Sequence, residues 1–272
     1  MKITVLVDNI SNDAQGLKAE HGLSFFMQAD ERKFLVDVGA TSLFIENACK
    51  LGVDIADVDY LILSHAHADH TGGLEAFLSI NSKAKIYLSE NVCGRNFFST
   101  RRGVKRNISI DHRLLQLHEE RFIFVNKNTS VTENVKLISA IPCIYSAPKA
   151  NATLFADNAP DDFLHELAVV VKNDNGSASV ISPCTHRGIL NILDAVKNYN
   201  VSKFVGGLHL LDSDEKNSFE SVEEIQSLAH EILKRNIFLC TGHCTGINAK
   251  NILSKELGNN FAEFYTGFSV NL

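Results

Sequence analysis

Ser64-His65-Ala66-His67-Ala68-Asp69-His70-Thr71-Gly72-Gly73 follows directly on the nearly continuous apolar run Val58 to Leu63. A run of that length and composition predicts a buried strand, which would deliver His65 at its C-terminal end. Three imidazoles and a carboxylate then fall within six positions. These are the ligand types that suit zinc, and also manganese or iron, where no thiolate set is present. In an extended segment His65 and His67 project to one side, and the turn offered by Gly72-Gly73 brings Asp69 and His70 round to a neighbouring point. Two metal ions side by side fit that arrangement. A single histidine is usually an ordinary core or surface residue, but four potential ligands at this spacing are not explained that way.

Working outward from this segment, the chain alternates strands and helices. Ile3 to Val7 reads as a short strand, and Ser24 to Gln28 with Lys33 to Val38 as a hairpin turning at Ala29-Asp30-Glu31. Thr41 to Leu51 has helical spacing, Leu74 to Ile80 predicts a second helix, and Lys85 to Ser89 a further strand. Residues 91–120 are less regular and carry Arg95, Arg101, Arg102, Lys105 and Arg106, which suggests an insertion or lid. Strands are expected again at Phe122–Val125, Val135–Ile138, Leu167–Val171 and Ala178–Ile181, the last after the turn signal Asn173-Asp174-Asn175-Gly176. Helices at Gly188–Asn198 and Ser221–Arg235 then alternate with strands at Lys203–Val205 and Ile237–Cys240. With no linker or repeat, the expected organisation of residues 1–272 is a single domain in which two β-rich halves face each other.

Composition narrows the function classes. With 45% hydrophobic and 21% charged residues among 272, the chain has the make-up of an ordinary globular protein. A net charge of −6 gives no general attraction to nucleic acid, which argues against an RNA-processing nuclease. No apolar run approaches the ~20 residues needed to span a bilayer, and the N-terminal run is too short for a signal peptide. A cytoplasmic protein with no membrane partner is expected. The six cysteines include no Cys-x-x-Cys pair. Most of the six are expected to be reduced and structural; Cys184 and Cys244 lie next to histidine motifs, where a metal or redox role is conceivable, yet a small buried residue is the commoner outcome.

The same motifs resemble the metallo-β-lactamase superfamily. Val36-Asp37-Val38-Gly39 looks like the short Asp-x-Gly segment that precedes the ligand strand there, whose aspartate supports the ligand loop. A closer resemblance is to the branch of the 7,8-dihydropterin-6-yl-methyl-4-(β-D-ribofuranosyl)aminobenzene 5'-phosphate synthases. It runs through Glu20-His21-Gly22-Leu23-Ser24, His65 to Gly73, Cys184-Thr185-His186-Arg187-Gly188-Ile189, Gly206-Gly207-Leu208-His209-Leu210 and His243-Cys244-Thr245-Gly246, nearly the whole chain.

The resemblance implies an α/β fold, the four-layer αββα sandwich of the superfamily. It implies two divalent metal ions, zinc foremost, with His65 and His67 on one, Asp69 and His70 on the other, and His186 and His243 completing the set. No aspartate stands near His186 in the place where many members keep a bridging carboxylate, a departure from the pattern. Glu166 could supply a carboxylate there or be a strand-edge surface residue. His21 reads either as approaching the site or as part of a structural loop. His112, His118, His165 and His230 read as ordinary surface or capping residues.

The chemistry implied is metal-dependent hydrolysis of a small phosphorylated or ester-type substrate, with Asp69 orienting the attacking water and His209 acting as proton donor or transition-state contact. Arg101, Arg102, Lys105 and Arg106 could hold an anionic substrate or form a solvated basic loop. A synthase-like condensation releasing pyrophosphate is the alternative. A di-iron redox enzyme of the same fold is disfavoured, because glutamate usually holds the second ligand position where this chain has His67. A non-catalytic metal-binding protein is disfavoured by the intact ligand residues.

Overall fold

Alternation along the early strands decides the layering. In the computed structural model, which describes residues 1–11, 16–211 and 219–272, Phe34 and Val36 face one way and Leu35 the other. The first half of the chain runs through β1 (Lys2–Val7), β2 (Ser24–Ala29), β3 (Arg32–Val36), α1 (Leu43–Lys50), β4 (Tyr60–Ile62), the single turn α2 (Ala68–Thr71), α3 (Leu74–Ile80) and β5 (Lys85–Ser89). Then come β6 (Phe97–Ser99), β7 (Arg106–Asn107), α4 (His112–Leu117) and β8 (Phe122–Val125). The second half contributes β9 (Thr129–Ser130), β10 (Val135–Ile138), β11 (Leu154–Ala156), β12 (Ala159–Pro160), β13 (Ala168–Lys172), β14 (Ala178–Ile181), α5 (Ile189–Ala195) and β15 (Val201–Val205). It closes with α6 (Val222–Lys234), β16 (Phe238–Thr241), α7 (Ile247–Leu257), β17 (Phe261–Glu263) and β18 (Ser269–Asn271).

Two seven-stranded sheets result, in the orders β18-β1-β2-β3-β4-β5-β8 and β17-β16-β15-β14-β13-β10-β9. Phe25, Met27, Phe34 and Ile62 of the first sheet pack with Leu137, Val169, Ile181 and Val205 of the second in one buried layer. On the outer face of the first sheet, Leu35, Leu61 and Ile86 meet Phe44 and Ala48 of α1 and Leu74 and Phe77 of α3. On the outer face of the second, Val170, Val180, Phe204 and Leu239 meet α5, α6 and α7 through Ile192, Ile225, Ala229 and Leu253. Helix, sheet, sheet, helix is the expected four-layer order, and it follows from each sheet burying both faces. The closing strand β18 returns to pair antiparallel with β1, joining the end of the chain to the first sheet.

Part of the irregular stretch 91–120 joins a small third sheet, ordered β12-β11-β6-β7. Only half of it comes from residues 91–120; the rest is Leu154–Pro160, far along the sequence. Backbone hydrogen bonds from Ala68 N to Ile108 O and from Ile110 N to Ala66 O, both 2.8 Å, fasten it to the His65–His67 loop.

Gly72 and Gly73 serve close approach rather than an unusual backbone angle. A Cβ on Gly72 would lie 2.2 Å from Ala40 O and 2.7 Å from Ala68 O, and one on Gly73 would lie 2.3 Å from Val38 O. Backbone oxygens cannot rotate away as a side-chain end can. Gly72→Ala is therefore expected to destabilise the chain by about 3 kcal/mol, the upper end for overpacking, read as a fall in the denaturant midpoint with an unchanged slope. A midpoint within experimental error of the parent would contradict this contact.

Candidate metal centre

Every loop that carries a candidate ligand leaves the same edge of the two sheets. Ser64 to His67 follow β4, and Asp69 and His70 ride on α2. In the second sheet β14, β15 and β16 are parallel, so their C-terminal ends bring Cys184 and His186, His209, and His243 and Cys244 to one edge. Thr185, His209 and His243 all have left-handed backbones, with φ of 59°, 49° and 47°, and Asp37 has φ 60°. Non-glycine residues in that region are uncommon and gather where the surroundings fix them for a purpose.

The imidazoles form one cluster. His65 lies 4.6, 4.2 and 4.9 Å, ring centre to ring centre, from His67, His70 and His186, and His186 lies 4.2 Å from His209. His70 Nε2 and His243 Nε2 are 3.2 Å apart, and Asp69 Oδ2 is 3.6 and 3.5 Å from them. All six of these histidines are buried.

Hydrogen bonds behind the cluster fix which nitrogen faces it. His65 Nδ1 meets Ser64 Oγ at 2.8 Å, and Ser64 Oγ donates to Asp37 Oδ2 at 2.7 Å. His70 Nδ1 donates to Asp37 Oδ2 at 2.7 Å, His186 Nδ1 to Asn151 Oδ1 at 3.1 Å, and His243 Nδ1 to Asn9 Oδ1 at 3.0 Å. Each Nδ1 thus holds its proton toward an oxygen, which leaves the Nε2 lone pair turned inward. Among the described residues, His65 Nε2, His67 Nε2 and His186 Nε2 are buried with no hydrogen-bond partner, as is His209 Nδ1. Buried imidazole nitrogens without partners are costly unless something else satisfies them. This donor set fits divalent cations of borderline softness.

The electrostatics agree with that use. Burial, reinforced by neighbouring imidazoles, pushes His65, His186 and His209 well below the ordinary histidine range, so they are neutral near pH 7. Burial likewise lowers His243 to about 4, against the pull of Asp69. His70 differs: burial would lower it, but the Asp69 and Asp37 carboxylates outweigh burial and raise it to about 9. A proton on His70 thus bridges to His243 in the metal-free chain, and a bound cation would displace it.

A model of the metallo-beta-lactamase superfamily matches residues 17–120. The solved structure of Tm1679, a metal-dependent hydrolase of the beta-lactamase superfamily, superposes with a TM-score of 0.83 at 27% identity over 100% of this chain and 99% of that one. The chain has the metallo-β-lactamase fold and resembles that superfamily in sequence. Among curated superfamily relatives, the 7,8-dihydropterin-6-methyl-4-(beta-D-ribofuranosyl)-aminobenzene-5'-phosphate synthase of Methanocaldococcus jannaschii is 24% identical, over 98% of this chain and 95% of that one. The zinc-bound PqqB of Methylobacterium extorquens shares the fold, with a TM-score of 0.61 at 10% identity and full coverage of both chains.

Within this superfamily fold, several residues stand elsewhere than their sequence context suggests. His165 is no surface residue: it is fully buried, its Nδ1 accepts from Ala66 N at 3.2 Å, and its Nε2 meets Asp161 Oδ2 at 3.0 Å. Asp161 also faces His67 Nε2 at 3.7 Å. These facing imidazoles hold the Asp161 carboxyl below its usual range although burial opposes them. The pair was missed because it precedes β13. That strand runs antiparallel to β14, so its N-terminal end shares the edge where the other strands end. Asn9 and Asn151 give no comparable signal in the sequence.

Glu166 is 2% exposed, not at the surface, and its carboxylate accepts from His186 N at 2.7 Å and Arg187 N at 2.8 Å. It braces the His186 loop from behind, and burial raises it to about 7 against those two bonds. His21 is two-thirds exposed but reaches the site, 3.6 Å from Asp69 Oδ2 and stacked 5.6 Å from His243. Cys184 and Cys244 are also part of the cluster, with sulfurs 3.4 Å apart. A cleft of about 330 Å³ opens on His67, Asp69, Cys184, His186 and His209, with Arg101 and Leu154 on its wall. A second cleft of about 600 Å³ shares Arg101 and His21 with it and adds Arg106 and Lys250. Lys105 instead lies over the Phe98 ring at 4.1 Å, and the side chain of Arg102 lies outside the described residues.

Proposed function

We propose that this chain is a metal-dependent hydrolase holding two divalent cations, zinc foremost, that acts on a small anionic substrate of the phosphorylated or ester type. The observation that carries the reading is the group of buried imidazole nitrogens, unpartnered among the described residues, beside a cleft that Arg101 also lines. His65, His67 and His186 would hold one cation, and Asp69, His70 and His243 the other. Bound there, such cations make a water nucleophilic near neutral pH and polarise the oxygen of the group under attack.

The protein's own groups do the rest. Asp69, a quarter exposed at the cleft floor, accepts and orients the proton of an attacking water. His209, with Nδ1 unpartnered and its backbone held left-handed, is placed to give a proton to the leaving oxygen or to steady its charge. Arg101 and Arg106, both carried by the small sheet, hold the anionic part of the substrate. No helix among the described residues is long and apolar enough to cross a membrane. A cytoplasmic setting, with all six cysteines as thiols, fits this reading.

Arg101→Ala is expected to raise KM for an anionic substrate by roughly 10-fold or more while leaving kcat within about threefold, the pattern of lost uniform binding. An equal fall in kcat for anionic and neutral esters would contradict a substrate-holding role. The reading as a whole is tested by assaying the metal-loaded chain on phosphodiester, phosphomonoester, ester and lactam substrates before and after chelation. Turnover of one class that chelation abolishes supports it, and turnover untouched by chelation contradicts it.

The near full-length similarity to the M. jannaschii synthase favours a second reading, condensation with loss of pyrophosphate. Pyrophosphate release from a pyrophosphorylated substrate only when an amine acceptor is present would select it over hydrolysis.

A further inference from the structure

Cys184 is buried beside the imidazoles, and no role described so far requires it. Its Sγ lies 3.1 Å from His70 Nε2 and 3.4 Å from Cys244 Sγ. It belongs to three groups of ligand atoms, each with all members within 4.8 Å of one another: with His65 and His70, with His186 and His209, and with His243 and Cys244. One sulfur is therefore common to groups on both sides of the cluster. The side chain also lines the cleft, so an arriving ion meets it. The bridging carboxylate expected near His186 is missing from Ser182-Pro183-Cys184-Thr185-His186, and the sulfur stands in that stretch.

We propose that the Cys184 thiolate is a metal ligand shared between the two halves of the centre, in the place of the missing carboxylate. This rests on the metal-centre reading above. Zinc–sulfur and zinc–nitrogen bonds of about 2.3 and 2.0–2.1 Å at tetrahedral angles set ligand atoms roughly 3.5 Å apart, close to the spacing already present around Sγ. The unpartnered Nε2 atoms of His65 and His186, both fully buried, are the second indication that a cation belongs beside the sulfur. A packing role would leave the sulfur among apolar atoms. Ala150 and Leu211 do pack with the two cysteines, but Sγ of Cys184 is turned to His70. A thiolate at the shared position selects zinc, cobalt or iron over magnesium or manganese.

The test uses the full chain loaded with zinc or cobalt(II). X-ray absorption at the zinc edge is expected to show a sulfur shell at about 2.3 Å beside the nitrogen and oxygen shell. The cobalt form is expected to show a sulfur-to-cobalt charge-transfer band in the near ultraviolet together with visible ligand-field bands. Cys184→Ser should lose the sulfur shell and the charge-transfer band while keeping bound cobalt and its visible bands, and Cys244→Ser should keep all of them. Bound metal with only nitrogen and oxygen neighbours in the parent chain overturns the proposal and leaves the metal centre standing. A sulfur signature that survives Cys184→Ser does the same. A parent chain that takes up neither ion overturns the metal-centre reading, and this proposal with it.

Discussion

His67→Ala is expected to lose at least one bound metal per chain and to lower hydrolytic turnover by more than about 100-fold. The magnitude is argued from below: disturbing groups that merely orient a ligand typically costs 10–100-fold in metal affinity or activity, and removing the ligand itself costs more. His67 suits this test better than its neighbours. It lines the cleft, so truncation widens an existing opening instead of leaving a sealed void among packed rings. Fold and site can then be separated. Thermal unfolding of the metal-free forms should differ little, whereas the rise in Tm that added zinc gives the parent should shrink in the variant, because binding to the native state alone stabilises in proportion to affinity. A variant that keeps the parent's metal content and activity would remove His67 from the site.

Asp37→Asn is the second large effect. The carboxylate is fully buried, and it accepts from Ser64 N at 2.7 Å, from Ser64 Oγ at 2.7 Å and from His70 Nδ1 at 2.7 Å. One side chain thereby orients His70 directly and His65 through Ser64. Asparagine keeps the shape and tolerates the left-handed backbone at φ 60°. Its amide nitrogen must face either the Ser64 backbone N–H or both the Ser64 hydroxyl and the His70 N–H, however, and an unsatisfied donor in a fully buried place is costly. The expected loss is on the order of 3 kcal/mol in stability, typical of breaking one partner of a buried ion pair, with metal affinity lowered about 10–100-fold. Denaturant unfolding of the metal-free protein and competition with a chelator of known affinity read the two separately. If affinity is unchanged while stability falls, Asp37 supports the fold alone.

Much of this was legible in the sequence, for a physical reason. Strand β4 is apolar because both its faces are covered, and the polar residues that break the run, Ser64 to His70, mark where it leaves the core. The same logic locates His186, His209 and His243 after the buried ends of β14, β15 and β16. The hairpin Ser24–Val36 was readable from alternation and from Asp30-Glu31, which take the left-handed turn conformations. Asp161 and His165 escaped because strand direction, unlike strand identity, is not written in local pattern. Asn9 and Asn151 escaped because one asparagine carries no periodic signal, and only the folded chain brings them to His243 and His186. The small third sheet was half legible: its basic, irregular first segment stands out, while Leu154–Pro160 pairs with it across more than fifty residues. The two cysteines were passed over on frequency, since small buried cysteines are common and only their 3.4 Å separation beside His70 marks these.

On the function proposed above, the inward-turned imidazoles and Asp69 hold cations. Elemental analysis of the purified chain, freed of adventitious metal and then equilibrated with zinc at a fixed free concentration, tests it most directly. About two equivalents of tightly held zinc per chain are expected, as in two-metal hydrolytic sites, with a matching gain in Tm. A chain that folds normally yet retains no zinc, manganese, cobalt or iron above the level of a control protein would contradict it.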